Sequence, residues 1–171
     1  MTETPSAGKA YPFAVVATAT GFAASALQFP AMATAPTRTE LDRLMREQSA
    51  LYLLEHRLNR TSPERPRAEG DVDLSDWVDA DPRPTVVYAA PAAVNEVSIA
   101  IELAVRDEGL TYAELARRMV VPRSVVTRLT DPFYFGHTTA TLRKVAHALG
   151  RALHVSFAVD RGVRASAAST D

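Results

Sequence analysis

Residues 110–150 read LTYAELARRMVVPRSVVTRLTDPFYFGHTTATLRKVAHALG, and this stretch decides the fold of the second half of the chain. Thr111 followed three positions later by Glu114 is a capping box, in which each side chain satisfies a free amide of the first helical turn. Pro122 suits the first position of a second short helix ending at Leu129, because its missing N–H is not needed there. The buried side of the first helix is predicted to hold Leu115, Ala116 and Met119.

Two short amphipathic helices joined by a tight turn, with a third helix closing the core, form the pattern of a helix-turn-helix DNA-binding unit. An exposed Arg on the second helix can read guanine through two hydrogen bonds, worth about 1–3 kcal/mol of discrimination. The candidate residues on that helix are Arg123, Ser124, Val125, Thr127 and Arg128. Phosphate contacts, which set register without reading sequence, are expected from Thr111, Arg117, Thr138 and Arg143.

A plainer interpretation is a helical bundle with a solvated Arg face. The order of cap, Glu-Leu-Ala, turn, Thr-Arg-Leu and closing helix favours DNA binding over it. One residue departs from the pattern, because Val120 stands in the turn where Gly is usual. A β-branched residue resists a positive φ, so the turn is the weak point of the prediction.

The first half of the chain predicts a sheet covered by one helix. Thr20-Gly21 between apolar runs indicates a hairpin, and a second capping box, Thr37 to Glu40, opens an amphipathic helix reaching about Asn59. The predicted strands cover residues 12–19, 22–29, 32–36 and 85–89. The alternation in residues 153–159 predicts one further strand at the C-terminal end.

These elements make an α+β protein of two domains, and Pro91 marks the boundary between residues 11–90 and 91–160. With 171 residues and a net charge of −1, the chain as a whole is not basic, so any affinity for DNA must come from a local patch. Cysteine is absent, which excludes disulfides and thiolate metal sites and fits a reducing cytosol. The four His lack metal-ligand spacing, and we expect no metal and no cofactor.

Residues 11–35 have some features of a signal peptide, being apolar with small residues near the end. Thr18, Thr20 and Gly21 interrupt the run, so we expect a cytoplasmic protein with no membrane association. Residues 61–83 are rich in Pro and Asp, and the default interpretation is a solvated loop. The alternative is an acidic strip that meets a basic partner, with Trp77, Asp73, Asp76 and Asp79 as tentative contacts.

On these residues the chain resembles the HicB antitoxin family, in the branch with a C-terminal Xre-like helix-turn-helix domain. The resemblance covers roughly residues 11–158 and has a weak middle. At the front it rests on Tyr11-Pro12, Gly21-Phe22, Phe29-Pro30, Thr34 and the helix from Thr37. At the back it rests on Leu110-Thr111, Glu114-Leu115-Ala116-Arg117-Arg118, Thr127-Arg128-Leu129 and Ala148-Leu149-Gly150. The chain departs from the family in lacking the acidic Gly-Asp before the first helix and in its Ala-rich sheet.

The resemblance implies a partial RNase H-like β-β-β-α-β domain followed by an all-α DNA-binding domain. It implies an antitoxin that silences a small basic HicA-type mRNA-cleaving toxin by direct binding and represses its own operon at operator DNA, as a homodimer or a higher oligomer. The alternative is a stand-alone transcriptional regulator with a sensor or protein-interaction domain at the front. An enzyme is not expected, because two-metal nucleases need clustered carboxylates and residues 12–29 contain neither Asp nor Glu.

Overall fold

The computed structural model describes residues 10–68, 70–75 and 82–156. The chain divides between Val94 and Asn95 into two compact units. It is a mixed α+β protein, as the sequence predicts. The first unit contains strands β1 (Tyr11–Thr18), β2 (Gly21–Ala26), β3 (Met32–Ala35) and β4 (Thr85–Ala89) with helix α1 (Arg38–Asn59). The second contains helices α2 (Glu96–Asp107), α3 (Tyr112–Met119), α4 (Arg123–Leu129) and α5 (Thr139–Leu149).

The four strands form one sheet in the order β3-β2-β1-β4, and every neighbouring pair is antiparallel. The predicted hairpin is present, with Thr18 opposite Gly21 at the end of the β1–β2 ladder. Gly21 has a φ of 149°, and a Cβ at this position would collide with the carbonyl oxygen of Ala35 on β3. Glycine is therefore required where β2 leaves the hairpin and passes β3.

The core of the first unit lies between one face of the sheet and α1. Side chains alternate across a strand, so Tyr11, Phe13 and Val15 share a face and are buried with Leu41 and Met45 of α1. The helix begins as predicted, with the Thr37 hydroxyl accepting the Glu40 amide. Ser49 is fully buried, and its hydroxyl lies 3.0 Å from the Met45 carbonyl and 3.3 Å from the Ala89 carbonyl, which ties α1 to β4.

The Pro-rich segment after α1 is a largely exposed loop, as predicted, and over residues 64–67 side chains also anchor its backbone. The Tyr11 hydroxyl donates to the Glu64 carbonyl at 3.1 Å, and the Glu64 amide donates to the Tyr52 hydroxyl at 3.0 Å. The Gln28 side chain donates to the Arg65 carbonyl and accepts from the Arg67 amide, at 2.9 and 2.8 Å. A backbone outside a sheet must find other partners, and here three side chains from distant points of the chain supply them.

The core of the second unit lies between α2, α3, α4 and α5. Three of its helices begin at a side-chain cap on the amide of the first turn: Asn95 for α2, Thr111 for α3 and Thr138 for α5. Leu115 and Val126 are completely buried at the centre. Ala116, 4% exposed, lies in the same cluster, where a small side chain allows close helix packing.

The predicted C-terminal strand is wrong for the part of it that the structure describes. Residues 153–156 form no strand, and 157–159 lie outside the described residues. Val155 is 68% exposed. A strand needs a neighbouring strand to satisfy its ladder, and the described part of the second unit contains only helices.

Among the described residues, no helix is both long and apolar enough to cross a bilayer.

Candidate nucleic-acid interface

Helix α4 presents a polar face opposite its buried side. Val126 and Leu129 are buried in the core, whereas Ser124, Thr127 and Arg128 are exposed. These three positions are spaced i, i+3 and i+4, so their side chains lie on one face of the helix. The helix begins at Arg123, one position later than predicted, because Pro122 adopts an extended ψ of 147° and is the cap residue.

The guanidinium of Arg128 lies over the ring of Tyr134, with 5.3 Å between its Cζ and the ring centroid. Tyr134 comes from the loop that joins α4 to α5. Arg123 differs, since no hydrogen bond or ion pair joins its side chain to any other described residue; its carbonyl accepts the Thr127 hydroxyl at 3.3 Å. The two predicted Arg of α4 are therefore exposed in different states, one stacked and one unrestrained.

Val125 is only half-buried and packs against the core of the second unit. Its methyl groups are shared between the core and the surface, so less of the side chain is free for a thymine methyl than the prediction assumed.

The predicted phosphate contacts are all exposed. Thr111 and Thr138 are the cap residues of α3 and α5, and their hydroxyl oxygens accept the amides of Glu114 and Thr141. The Thr138 hydroxyl also shares a hydrogen bond with that of Thr141 at 2.9 Å. A capping hydroxyl still has a proton to donate, and it sits where the partial positive charge of a helix N-terminus favours an anion.

Arg117 forms an ion pair with Glu114, which also lies 3.1 Å from Arg118. Because the Arg117 side chain is 73% exposed, the pair contributes little to stability and is free to exchange for a phosphate. Residues 110–150 carry six cationic side chains and two carboxylates in a chain whose net charge is −1. The cations are Arg117, Arg118, Arg123, Arg128, Arg143 and Lys144; the carboxylates are Glu114 and Asp131.

A polar network that the sequence analysis missed anchors the α4–α5 loop. The Asn95 side chain donates to the Tyr134 carbonyl at 2.8 Å and lies 3.2 Å from the His137 Nδ1. The His137 Nε2 lies 2.9 Å from the Leu129 carbonyl and 3.4 Å from the hydroxyl of Ser98, which is fully buried. The contacts of Asn95 and Ser98 join residues about 40 positions apart, and only the helix-cap preference of Asn95 gave a local signal.

The turn between α3 and α4 is left-handed at Val120, with φ 55° and ψ 50°. The Val120 amide bonds to the Arg117 carbonyl, and the Val121 amide to the Ala116 carbonyl, as in a glycine-type helix end. Val120 thus adopts the left-handed conformation that its β-branched side chain disfavours. The predicted turn therefore forms even without the usual Gly. The side chain is 89% exposed and contributes no packing in return.

We expect Val120→Gly to raise the free energy of unfolding. Relief of the left-handed strain is worth roughly 1–2 kcal/mol, and the extra unfolded-state entropy of Gly offsets about 0.5–1 kcal/mol of that. Urea unfolding followed by circular dichroism should therefore show a gain of up to about 1.5 kcal/mol. Val121→Gly is the matched control and should destabilise, because Val121 packs against the core. A Val120→Gly protein less stable than the parent would contradict the strained turn.

The hydroxyl of Tyr112 links α3 to α2. It donates to Glu102 at 2.5 Å, and Glu102 also pairs with Arg106 at 2.6 Å. Burial raises the pKa of the Tyr112 hydroxyl above its ordinary value, and the hydrogen bond to the Glu102 carboxylate raises it further, against a smaller lowering by Thr130 and Arg106. A pKa raised in the folded state means that the unfolded chain ionises first as the pH rises.

Ionisation of Tyr112 is therefore expected to leave the free energy of unfolding unchanged below about pH 10, the ordinary tyrosine pKa. Above that pH the free energy of unfolding should fall. Urea midpoints at pH 8 and pH 10.5 measure the fall. Tyr112→Phe should start lower at pH 8, having lost the hydrogen bond, and fall less between the two values. Equal falls in both proteins would show that Tyr112 does not carry the alkaline sensitivity.

Three of the tentative toxin contacts, Trp77, Asp76 and Asp79, lie outside the described residues. The fourth, Asp73, is exposed, and its carboxylate accepts the Ser75 amide at 2.8 Å. Hydrogen bonds from the Ser75 backbone and side chain lower the pKa of the Asp73 carboxyl. Asp73 therefore presents a charged carboxylate at neutral pH.

Within the described parts of the chain, no three His, Asp or Glu side chains come together as metal ligands. Comparison with models of known protein families gives no match, and comparison with curated proteins gives none.

Proposed function

We propose that the protein is the antitoxin of a type II toxin–antitoxin pair. In this proposal the second unit is a helix-turn-helix domain that represses the operon by binding operator DNA. The first unit is a partial RNase H-like domain that binds and silences a small basic HicA-type mRNA-cleaving toxin in the cytoplasm. The protein acts by occlusion and has no enzymatic activity of its own.

The DNA-binding half of the proposal depends on one observation. Ser124, Thr127 and Arg128 share an exposed face of a short helix that follows α3 after a tight turn. A helix of this kind fits the major groove, which admits an α-helix and displays a distinct pattern for each base pair. The excess of cations in residues 110–150 supplies the attraction to phosphate that the whole chain lacks.

The toxin-binding half has less support. The strand and helix order β-β-β-α-β along the first unit agrees with the fold that the resemblance implies. The exposed, ionised Asp73 belongs to the acidic stretch of residues 71–81, which suits a basic partner.

Selection of binding sequences from random DNA tests the operator-binding role. We expect a defined sequence to be enriched by the full-length protein. On that sequence Arg123→Ala and Arg128→Ala should each weaken specific binding about 5- to 150-fold, the equivalent of 1–3 kcal/mol, and non-specific binding less. Arg43→Ala on α1 is the matched control, since it removes an exposed Arg from the first unit and should leave affinity unchanged. Failure to enrich any sequence would contradict DNA binding.

Capture of a tagged full-length chain from its native cell tests the toxin-binding role. We expect one small basic protein at near-equal amounts, and loss of it with Trp77→Ala. A captured partner that survives Trp77→Ala would exclude Trp77 as a contact. An empty capture from cells shown to express the chain would leave the stand-alone transcriptional regulator.

We also propose that the protein is a homodimer through its second unit. Helix-turn-helix proteins bind two half-sites about 34–36 Å apart, which one copy does not span. Light scattering at micromolar concentration is expected to give twice the 18.5 kDa of one chain, or a multiple of it. A mass of one chain would contradict this.

A further inference from the structure

We infer that Tyr134 is a positioning residue that holds Arg128 for base readout, so that Arg128, and not Arg123, determines the strongest base preference of α4. The inference rests on the proposed DNA binding and assigns different tasks to its two Arg. The stacked guanidinium of Arg128 beside the unrestrained side chain of Arg123 is the observation that motivates it.

The ring of Tyr134 is fixed from several directions. Its hydroxyl donates to the Gly136 carbonyl at 2.9 Å, and its ring lies edge-on to His137 with 5.0 Å between centroids. Its amide donates to the Asp131 carbonyl, and its carbonyl accepts the Asn95 side chain. Gly136 leaves room for the ring, since a Cβ there would overlap it. The loop therefore presents a rigid aromatic surface to the end of α4.

A rigid surface beneath a guanidinium restricts it before binding. A free Arg side chain loses rotamer freedom when it is immobilised at an interface, and restriction in advance lowers that cost. A guanidinium held over an aromatic ring by the cation–π attraction still has N–H donors directed away from the ring. Such donors are what bind the two acceptors of guanine.

The position of Arg128 suits that task. It lies four residues after Ser124, on the same face, and together with Ser124, Thr127, Tyr112 and Asp131 it lines an open depression in the surface. The Asp131 carboxylate accepts the Phe133 amide at 2.9 Å. A carboxylate beside this face disfavours phosphate, so a base edge is the better ligand there. Arg123 does not line this depression, and its side chain has no polar partner among the described residues, which leaves it free for a phosphate contact.

The test uses the full-length protein and the DNA sequence that it selects. Tyr134→Leu removes the ring, Gly136→Ala displaces it, and Tyr134→Phe keeps it while removing only the hydroxyl. We expect the first two to weaken specific binding about 3- to 10-fold and to flatten the preference at one guanine. Tyr134→Phe should retain that preference, and non-specific affinity should be unchanged in all three.

A double-mutant cycle separates positioning from a structural role. If Tyr134 acts through Arg128, Tyr134→Leu has no further effect on specificity once Arg128→Ala is present. An equal loss from Tyr134→Leu with and without Arg128 would overturn the inference while DNA binding stands, as would a guanine preference lost in Arg123→Ala and kept in Arg128→Ala. Failure of the wild-type chain to select any sequence would overturn the inference together with the proposed function.

Discussion

Replacing Leu115 by Ala is expected to lower the free energy of unfolding of the second unit by about 2–5 kcal/mol. Leu115 is completely buried, and its cluster draws residues from α2, α3, α4 and α5. Since single domains are stable by only about 5–15 kcal/mol, the loss is a large fraction of the total, and the second unit should unfold at a clearly lower temperature and urea concentration. Binding to the selected DNA should fall with it, because α4 is placed by this core.

Hydrogen exchange read by mass spectrometry measures the effect locally. Amides of residues 112–149 should lose protection in Leu115→Ala. Leu115→Met, which conserves volume, should cost less than about 1.5 kcal/mol and retain DNA binding. Full protection in the Leu115→Ala protein would show that the helices of the second unit do not pack on this residue.

Phe13→Ala is expected to have the largest effect on the first unit, about 3–5 kcal/mol. Phe13 is fully buried in the central strand β1, opposite Ala26 on β2 and Val87 on β4, with its ring edge-on to Phe29 at 5.8 Å. Its removal leaves a cavity where the sheet meets α1. Capture of the proposed toxin should be lost, since the proposed function assigns toxin binding to this unit.

The outcome for DNA separates the two roles. Phe13→Ala should keep the sequence preference of the second unit, because each unit has its own core. Met32→Ala is the matched control, since Met32 is 75% exposed on β3 and should cost little. Loss of sequence preference in Phe13→Ala would mean that the second unit depends on the fold of the first.

Local rules predicted the helices and strands of this chain well. At the predicted capping boxes the hydroxyls of Thr37 and Thr111 accept the amides that mark the helix starts. The returning half of each box is not formed, because Glu40 and Glu114 pair with Arg side chains. The Thr20-Gly21 hairpin is present because its signal, a glycine between apolar runs, lies within a few residues. Features that are decided by neighbours in sequence are accessible from sequence.

What the sequence did not reveal depends on distant residues. The docking of Glu64 and Arg65 needs Tyr11 and Gln28, 53 and 37 positions away, and no local pattern connects them. The contact of Arg128 with the Tyr134 ring needs a loop conformation that is fixed by Asn95, and Asn95 precedes Tyr134 by 39 positions. The predicted strand after Leu153 had the right alternation and no neighbouring strand, so periodicity alone misled.

The docked segment after α1 also bears on how proteases would meet the chain. A protease binds its substrate as an extended strand, through backbone N–H and C=O groups. At Glu64, Arg65 and Arg67 those groups are already bonded to Tyr11, Tyr52 and Gln28. Cleavage there requires the segment to leave the surface first. The exposed Arg residues of this stretch suggest an easy site for proteolysis. The stretch should nevertheless resist cleavage as long as the first unit stays folded.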